Sequence, residues 1–175
     1  MKQYLRIFFT AILALPLGNT LASANSIDDA KTFFTSAEVK FGNNDFKGAI
    51  ADYTKAIELN PKFADAYNSR AAAEFSTGEK QSALDDFTKA IEINPKSADS
   101  YNNRGSIKAD LGDSKGATAD FTKTIEVNPS FVPAYLNRAA IRLDQGDKPG
   151  AKDDLLQAAK LGNPDAQQWL KSNGI

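Results

Sequence analysis

The chain contains no histidine and no cysteine. The first absence removes histidine general-base chemistry and the Ser-His-Asp arrangement; together they remove Cys-His nucleophilic sites and His or Cys metal centres. Without cysteine there is no disulfide and no lipid anchor on an N-terminal Cys, so an exported form must rely on packing alone. No Gly-rich phosphate loop is present. Charge of one sign is also missing: 21 basic and 22 acidic residues leave a formal charge of -1. No basic stripe appears, and nucleic-acid binding is not expected. Carboxylate pairs such as Asp85-Asp86 and Asp153-Asp154 exist, but they recur at one register and belong to a framework. No enzyme activity and no cofactor are expected.

The first 24 residues read as a segment apart. Lys2 and Arg6 precede an apolar run, Ile7 to Leu17, and Pro16 and Gly18 are expected to break the helix there. The run has 11 residues, too few to span a bilayer, which needs about 20. Ala22-Ser23-Ala24 supplies the small residues read by a signal peptidase. The expectation is a cleaved signal peptide over 1–24, with Asn25 as the new N-terminus and no stable membrane insertion afterwards. Loss of Lys2 and Arg6 leaves 19 basic against 22 acidic residues, a net charge of -3. The protein is expected in a bacterial periplasm or secreted.

What is abundant is repetition. Asn60-Pro61, Asn94-Pro95 and Asn128-Pro129 recur every 34 residues, as do Gly78, Gly112 and Gly146, Tyr67, Tyr101 and Tyr135, and Arg70, Arg104 and Arg138. Within residues 64–97, Ala66, Tyr67, Arg70, Ala71 and Glu74 fall at helical spacing until Thr77-Gly78-Glu79 interrupts them. Ala83, Phe87, Ala90 and Ile91 follow at spacings of three and four, and Asn94-Pro95 ends the second helix. A period of 34 is that of one helix-turn-helix unit, which cannot bury its apolar face alone and must stack on its neighbours.

This pattern resembles the tetratricopeptide repeat family. The family's large residue at repeat position 4 is Phe33, Tyr67, Tyr101 and Tyr135; the small residue at position 8 is Ala37, Ala71, Gly105 and Ala139; that at 20 is Ala49, Ala83, Ala117 and Ala151. Position 24 holds Tyr53, Phe87, Phe121 and Leu155, and position 27 holds Ala56, Ala90, Thr124 and Ala158. The resemblance implies an all-α, right-handed solenoid of four units (about 30–63, 64–97, 98–131 and 132–163) after a short segment, 25–29. Residues 164–175 then form a capping helix and tail, with Ala166, Trp169 and Leu170 turned to the fourth unit. The stretch Ala158 to Asn163 followed by Ala166-Gln167 is similar to a Sel1-like repeat. Asn44 stands where the other units have Gly.

Two polar sets sit beside core positions: Arg70, Arg104 and Arg138 at position 7, and Asp52, Asp86, Asp120 and Asp154 at position 23. Charges leaving water need partners, so an Arg–Asp ladder between helices is expected, within or between units.

Family geometry implies that the first helix of each unit lines a concave groove. Its candidate binding residues are the amides Asn68, Asn102, Asn103 and Asn137, the aromatics Phe34, Phe41 and Phe75, and Leu136. Side-chain amides offer donors and an acceptor to an extended peptide. The groove carries Glu38, Asp65, Asp99, Asp110 and Asp144 against Lys31, so a basic or apolar protein segment is the expected partner. The Lys/Asn/Arg clamp with which some family members grip a carboxylate is not matched. The expected function is an exported scaffold or adaptor in the assembly of an envelope complex. The alternatives are an accessory regulatory subunit of an envelope enzyme and a glycan-binding module, the latter weakened by the absence of a groove tryptophan.

Overall fold

The computed structural model describes the backbone of residues 17–174 and side chains from Ser26 onward. Among the described residues the chain is all-helical, in the order α1 (Leu17–Gly42), α2 (Phe46–Leu59), α3 (Ala64–Thr77), α4 (Lys80–Ile93), α5 (Ala98–Asp110), α6 (Ser114–Val127), α7 (Val132–Asp144), α8 (Lys148–Lys160) and α9 (Pro164–Ser172). Each helix packs on the next, and α1 also touches α3 while α5 touches α7. This is a solenoid of four antiparallel helix pairs closed by one further helix.

The punctuation is set by local chemistry. Gly78, Gly112 and Gly146 have φ of 90°, 83° and 79°, a left-handed conformation that costs glycine nothing. Asn44 fills the same position in the first pair at φ 60°, and asparagine is the side chain that tolerates this region best. Asp45, Asp113 and Asp147 cap α2, α6 and α8 by accepting from the backbone N–H of Gly48, Gly116 and Gly150. Asn163 caps α9 by accepting from Ala166, and Pro164 opens that helix where its missing N–H costs nothing.

The core follows the repeat. The alanines at positions 8 and 20 are 0–1% exposed and let paired helices approach, while Tyr53, Phe87 and Phe121 fill the space between them. Gly105 replaces alanine in the third pair because a Cβ there would sit 2.9 Å from the Phe121 ring. At the C-terminal end Ala166 and Leu170 are buried against Tyr135, Ala139 and Leu155, with Trp169 packed at the margin. Asp165, Gln168 and Lys171 face outward.

One expectation is corrected. Gly18 does not break a helix: α1 runs from Leu17 through Gly18 and through Ala22-Ser23-Ala24. A single glycine inside a helix costs only about 1 kcal/mol, which a 26-residue helix absorbs. Lys2, Arg6 and the apolar run up to Pro16 lie outside the described residues. No described helix is long and apolar enough to cross a membrane.

Candidate binding groove and its polar framework

The ladder forms, with a geometry more specific than charge pairing. Arg70 grips Asp86 with two N–H groups (Nε–Oδ2 2.6 Å, Nη2–Oδ1 2.9 Å) and donates a third to Thr54 Oγ1 of the preceding pair at 3.0 Å. Arg104 does the same with Asp120 (2.9 and 2.7 Å) and Thr88 (3.1 Å). Arg138 repeats it with Asp154 (3.0 and 2.6 Å) and Thr122 (2.9 Å). The bidentate half ties the helices of one unit, and the threonine ties that unit to the one before it. Thr54, Thr88 and Thr122 were not picked out from the sequence, although they recur in the same register. The fourth unit has Leu156 there.

Each aspartate but one has a cation from the residue four places after the ladder position. Lys40 reaches Asp52 at 2.5 Å, Lys108 reaches Asp120 at 2.8 Å, and Arg142 reaches Asp154 at 2.7 Å. In the first unit Ser36 replaces arginine and donates to Asp52 at 2.7 Å. The Lys40 and Ser36 hydrogen bonds hold the Asp52 carboxyl below its ordinary range. The second unit is the exception. Glu74 occupies the place of these cations, is only 8% exposed, and its Oε2 has no hydrogen-bond partner. Among the described residues its one ionic contact is Arg70, at 3.9 Å. Burial, and then the neighbouring Asp86, push its carboxyl up to about 7.

The first helices of the four units, α1, α3, α5 and α7, are those expected to line the groove, and α1 touches α3 while α5 touches α7. Between α3 and α5, which meet less closely, lies a cleft of about 240 Å³ walled by Phe41, Ala72, Phe75, Ser76, Phe87, Asn103, Ser106 and Ile107. Phe75 is 41% exposed, and Lys80 lies 6.0 Å above its ring. Of the eight candidate residues, Phe41, Phe75 and Asn103 are brought together here.

The others have different surroundings. Phe34 packs against Tyr53 and Phe63, with ring centroids at 5.7 and 4.8 Å, and serves the core of the first units. Leu136 packs against the C-terminal core. Asn102 is 9% exposed; it donates to Asn103 at 3.3 Å and accepts from Asn137 at 3.4 Å. Asn68 accepts from the Ser100 hydroxyl at 2.8 Å. Most of the amide row therefore joins neighbouring first helices, because an amide between two packed helices is satisfied most cheaply by its counterpart. Asn103 keeps its NH2 group unengaged at the cleft wall. The acid count of the groove is also lower than the sequence suggested: Asp110 pairs with Lys80, which arrives from the start of α4, at 3.2 Å. Tyr53, whose hydroxyl is pushed up by burial, donates to Glu38.

With the geometry in place, the comparisons agree with it. Two tetratricopeptide-repeat family models match residues 34–98 and 87–119. Residues 34–119 are thus tetratricopeptide repeats. Neither matched stretch reaches 158–167, so the Sel1-like likeness there rests on its residues alone. Among solved structures, a crystal structure of MamA is similar at 24% identity, covering 85% of this chain and 86% of that one, with a TM-score of 0.74. The Arabidopsis OM64 repeat domain is similar at 28% identity, covering 68% of this chain and 98% of that one, TM-score 0.66. The first repeat domain of Spaghetti (RPAP3), bound to the HSP90 peptide SRMEEVD, is similar at 22% identity, covering 69% and 95%, TM-score 0.67. No curated protein sequence matches the chain.

Proposed function

We propose that the protein is an exported scaffold that holds an extended segment of a partner protein in its concave groove, in the assembly of an envelope complex. The observation that carries this reading is the cleft between α3 and α5. Its apolar side chains Phe41, Ala72 and Phe75 are partly open to solvent over the buried Phe87 and Ile107. Its volume of about 240 Å³ suits one large apolar side chain. Asn103, Ser76 and Ser106 at the walls offer polar groups to the backbone on either side of such an anchor. The similar RPAP3 domain, with its bound HSP90 peptide, supports a peptide ligand for this fold. Asp65, Asp99 and Asp144 on the groove helices favour a partner segment that is basic or apolar around its anchor.

Export rests on the sequence of residues 1–24, and mass spectrometry of protein from native cells is expected to give Asn25 as the N-terminus. Intact Met1 on a soluble cytoplasmic species would remove the envelope from this reading and leave the groove untouched. The groove is tested by affinity capture of the partner with wild-type protein and with a Phe75→Ser/Asn103→Ala variant. Both side chains line the cleft, so the variant should fold and lose its partner. Equal recovery of the partner with both proteins would place the interface elsewhere.

A further inference from the structure

The repeat supplies an internal template for a second surface, at the opposite end of the solenoid from α1. In the second unit Lys80 opens α4, lies over the Phe75 ring and pairs with Asp110 at 3.2 Å. Asp110 is the last residue of α5. In the fourth unit Lys148 opens α8, and Leu143 stands where Phe75 stands. The helix that takes the place of α5 is α9, and it has 9 residues where α5 has 13. It stops before reaching the position from which Asp110 serves Lys80.

The consequence is an open surface beside α9. Leu143 is 36% exposed, and with Lys148, Pro149, Lys152, Trp169 and Asn173 it bounds a cleft of about 510 Å³. Neither Lys148 nor Lys152 has a carboxylate partner among the described residues. The adjacent Asp147 is committed to the Gly150 N–H and, at 3.7 Å, to Arg142. Lysine in a first helical turn opposes the helix dipole, so Lys148 does nothing for α8 itself.

We propose that this surface docks an acidic, amphipathic segment of a partner protein beside α9. Its carboxylates face Lys148 and Lys152, as Asp110 faces Lys80, and an apolar side chain covers Leu143 and the exposed edge of Trp169. This surface is separate from the α3–α5 cleft and of opposite charge preference, so it stands whether or not that cleft binds a partner.

Trp169 is the only tryptophan, so its emission reports on the site directly. The probe is an acetylated, amidated helical peptide of about 14 residues carrying Leu and Glu at alternating i, i+4 positions; the control carries Lys for Glu. The Glu peptide is expected to shift Trp169 emission saturably and to bind at least about tenfold more tightly than the Lys peptide. The double variant Lys148→Glu/Lys152→Glu should reverse that preference with no fall in melting temperature, since neither lysine has a carboxylate partner to lose and a glutamate suits the first turn of α8 better than a lysine. No saturable response to the Glu peptide, equal affinity for both peptides, or unchanged Glu-peptide affinity in the double variant would overturn the proposal. Emission that shifts with protein concentration alone would also overturn it, by assigning the surface to a second copy of this chain.

Discussion

At the scale of single residues, the same arginine does different work in different units. Arg104→Leu leaves Asp120 with Lys108 at 2.8 Å, whereas Arg70→Leu leaves Asp86 beside Glu74 with no cation. Breaking a buried pair costs about 3–5 kcal/mol, and a remaining partner lowers the cost. Urea melts should therefore rank Arg70→Leu below Arg104→Leu in stability by at least about 1 kcal/mol. Asp110→Ala, in a solvent-exposed pair, should change stability by about 0.5 kcal/mol or less. Equal stability of all three would mean that the ladder carries no energy. Glu74 makes a pH prediction. Its carboxyl sits near 7 when folded and near 4.5 when unfolded. Between these values the folded state holds the extra proton, so stability falls as pH rises through the window and stays lower above it. With no histidine or cysteine in the chain, no other side chain has an ordinary pKa between pH 5 and 8. Wild type should lose roughly 2–3 kcal/mol from pH 5 to pH 8, and Glu74→Gln should abolish most of that slope. A wild-type profile as flat as that of the variant would show Glu74 ionised without cost. Arginine and aspartate matched in number and register could be read from the chain as a ladder. The threonine ties could not, because they depend on which side chain faces which neighbour across a unit boundary, and the orphaned Glu74 could not, because its cost depends on how deeply its own helix pair buries it.

At the scale of the helix, the pairs are specified by glycine, proline and aspartate punctuation, which acts within a few residues and is therefore visible in the sequence. The groove amides behave otherwise. Asn68 and Asn102 share one repeat position, and Asn103 and Asn137 share the next, yet the partners of Asn68 and Asn102 across the helices lie 32 and 35 residues away, and packing between first helices decides their fate. The helix most exposed to perturbation is the short α9, which packs chiefly on α8 and reaches α7 only through the cluster around Tyr135 and Ala139. Leu170 is 6% exposed in the cluster with Tyr135 and Leu155. Truncating a buried leucine costs about 2–5 kcal/mol, more than a nine-residue terminal helix can hold by itself. Leu170→Ala is expected to release α9 before the rest of the solenoid unfolds. In a urea titration, Trp169 emission should then move ahead of the far-ultraviolet helix signal, whereas the two should coincide in wild type. Coincident transitions in the variant would show that α9 does not depend on Leu170.

At the scale of the whole molecule, the 34-residue period determines a stack, and a stack has one concave side and two ends. That much follows from the sequence, because a two-helix unit has no other way to bury its apolar face. Where on the concave side a ligand sits does not follow, since it depends on how far neighbouring first helices stand apart. Phe34, Phe41 and Phe75 share a register-based reading, but only Phe41 and Phe75 reach the open cleft, while Phe34 is taken up by Tyr53 and Phe63. The central claim is that this cleft holds the partner. The most direct test places a photoreactive amino acid at Phe75 in the cleft and, separately, at Lys123 on the exposed face of α6, and irradiates cells producing each form. The account predicts one discrete crosslinked protein from position 75 and none from position 123. The same product from both positions, or a product from position 123 alone, would contradict it.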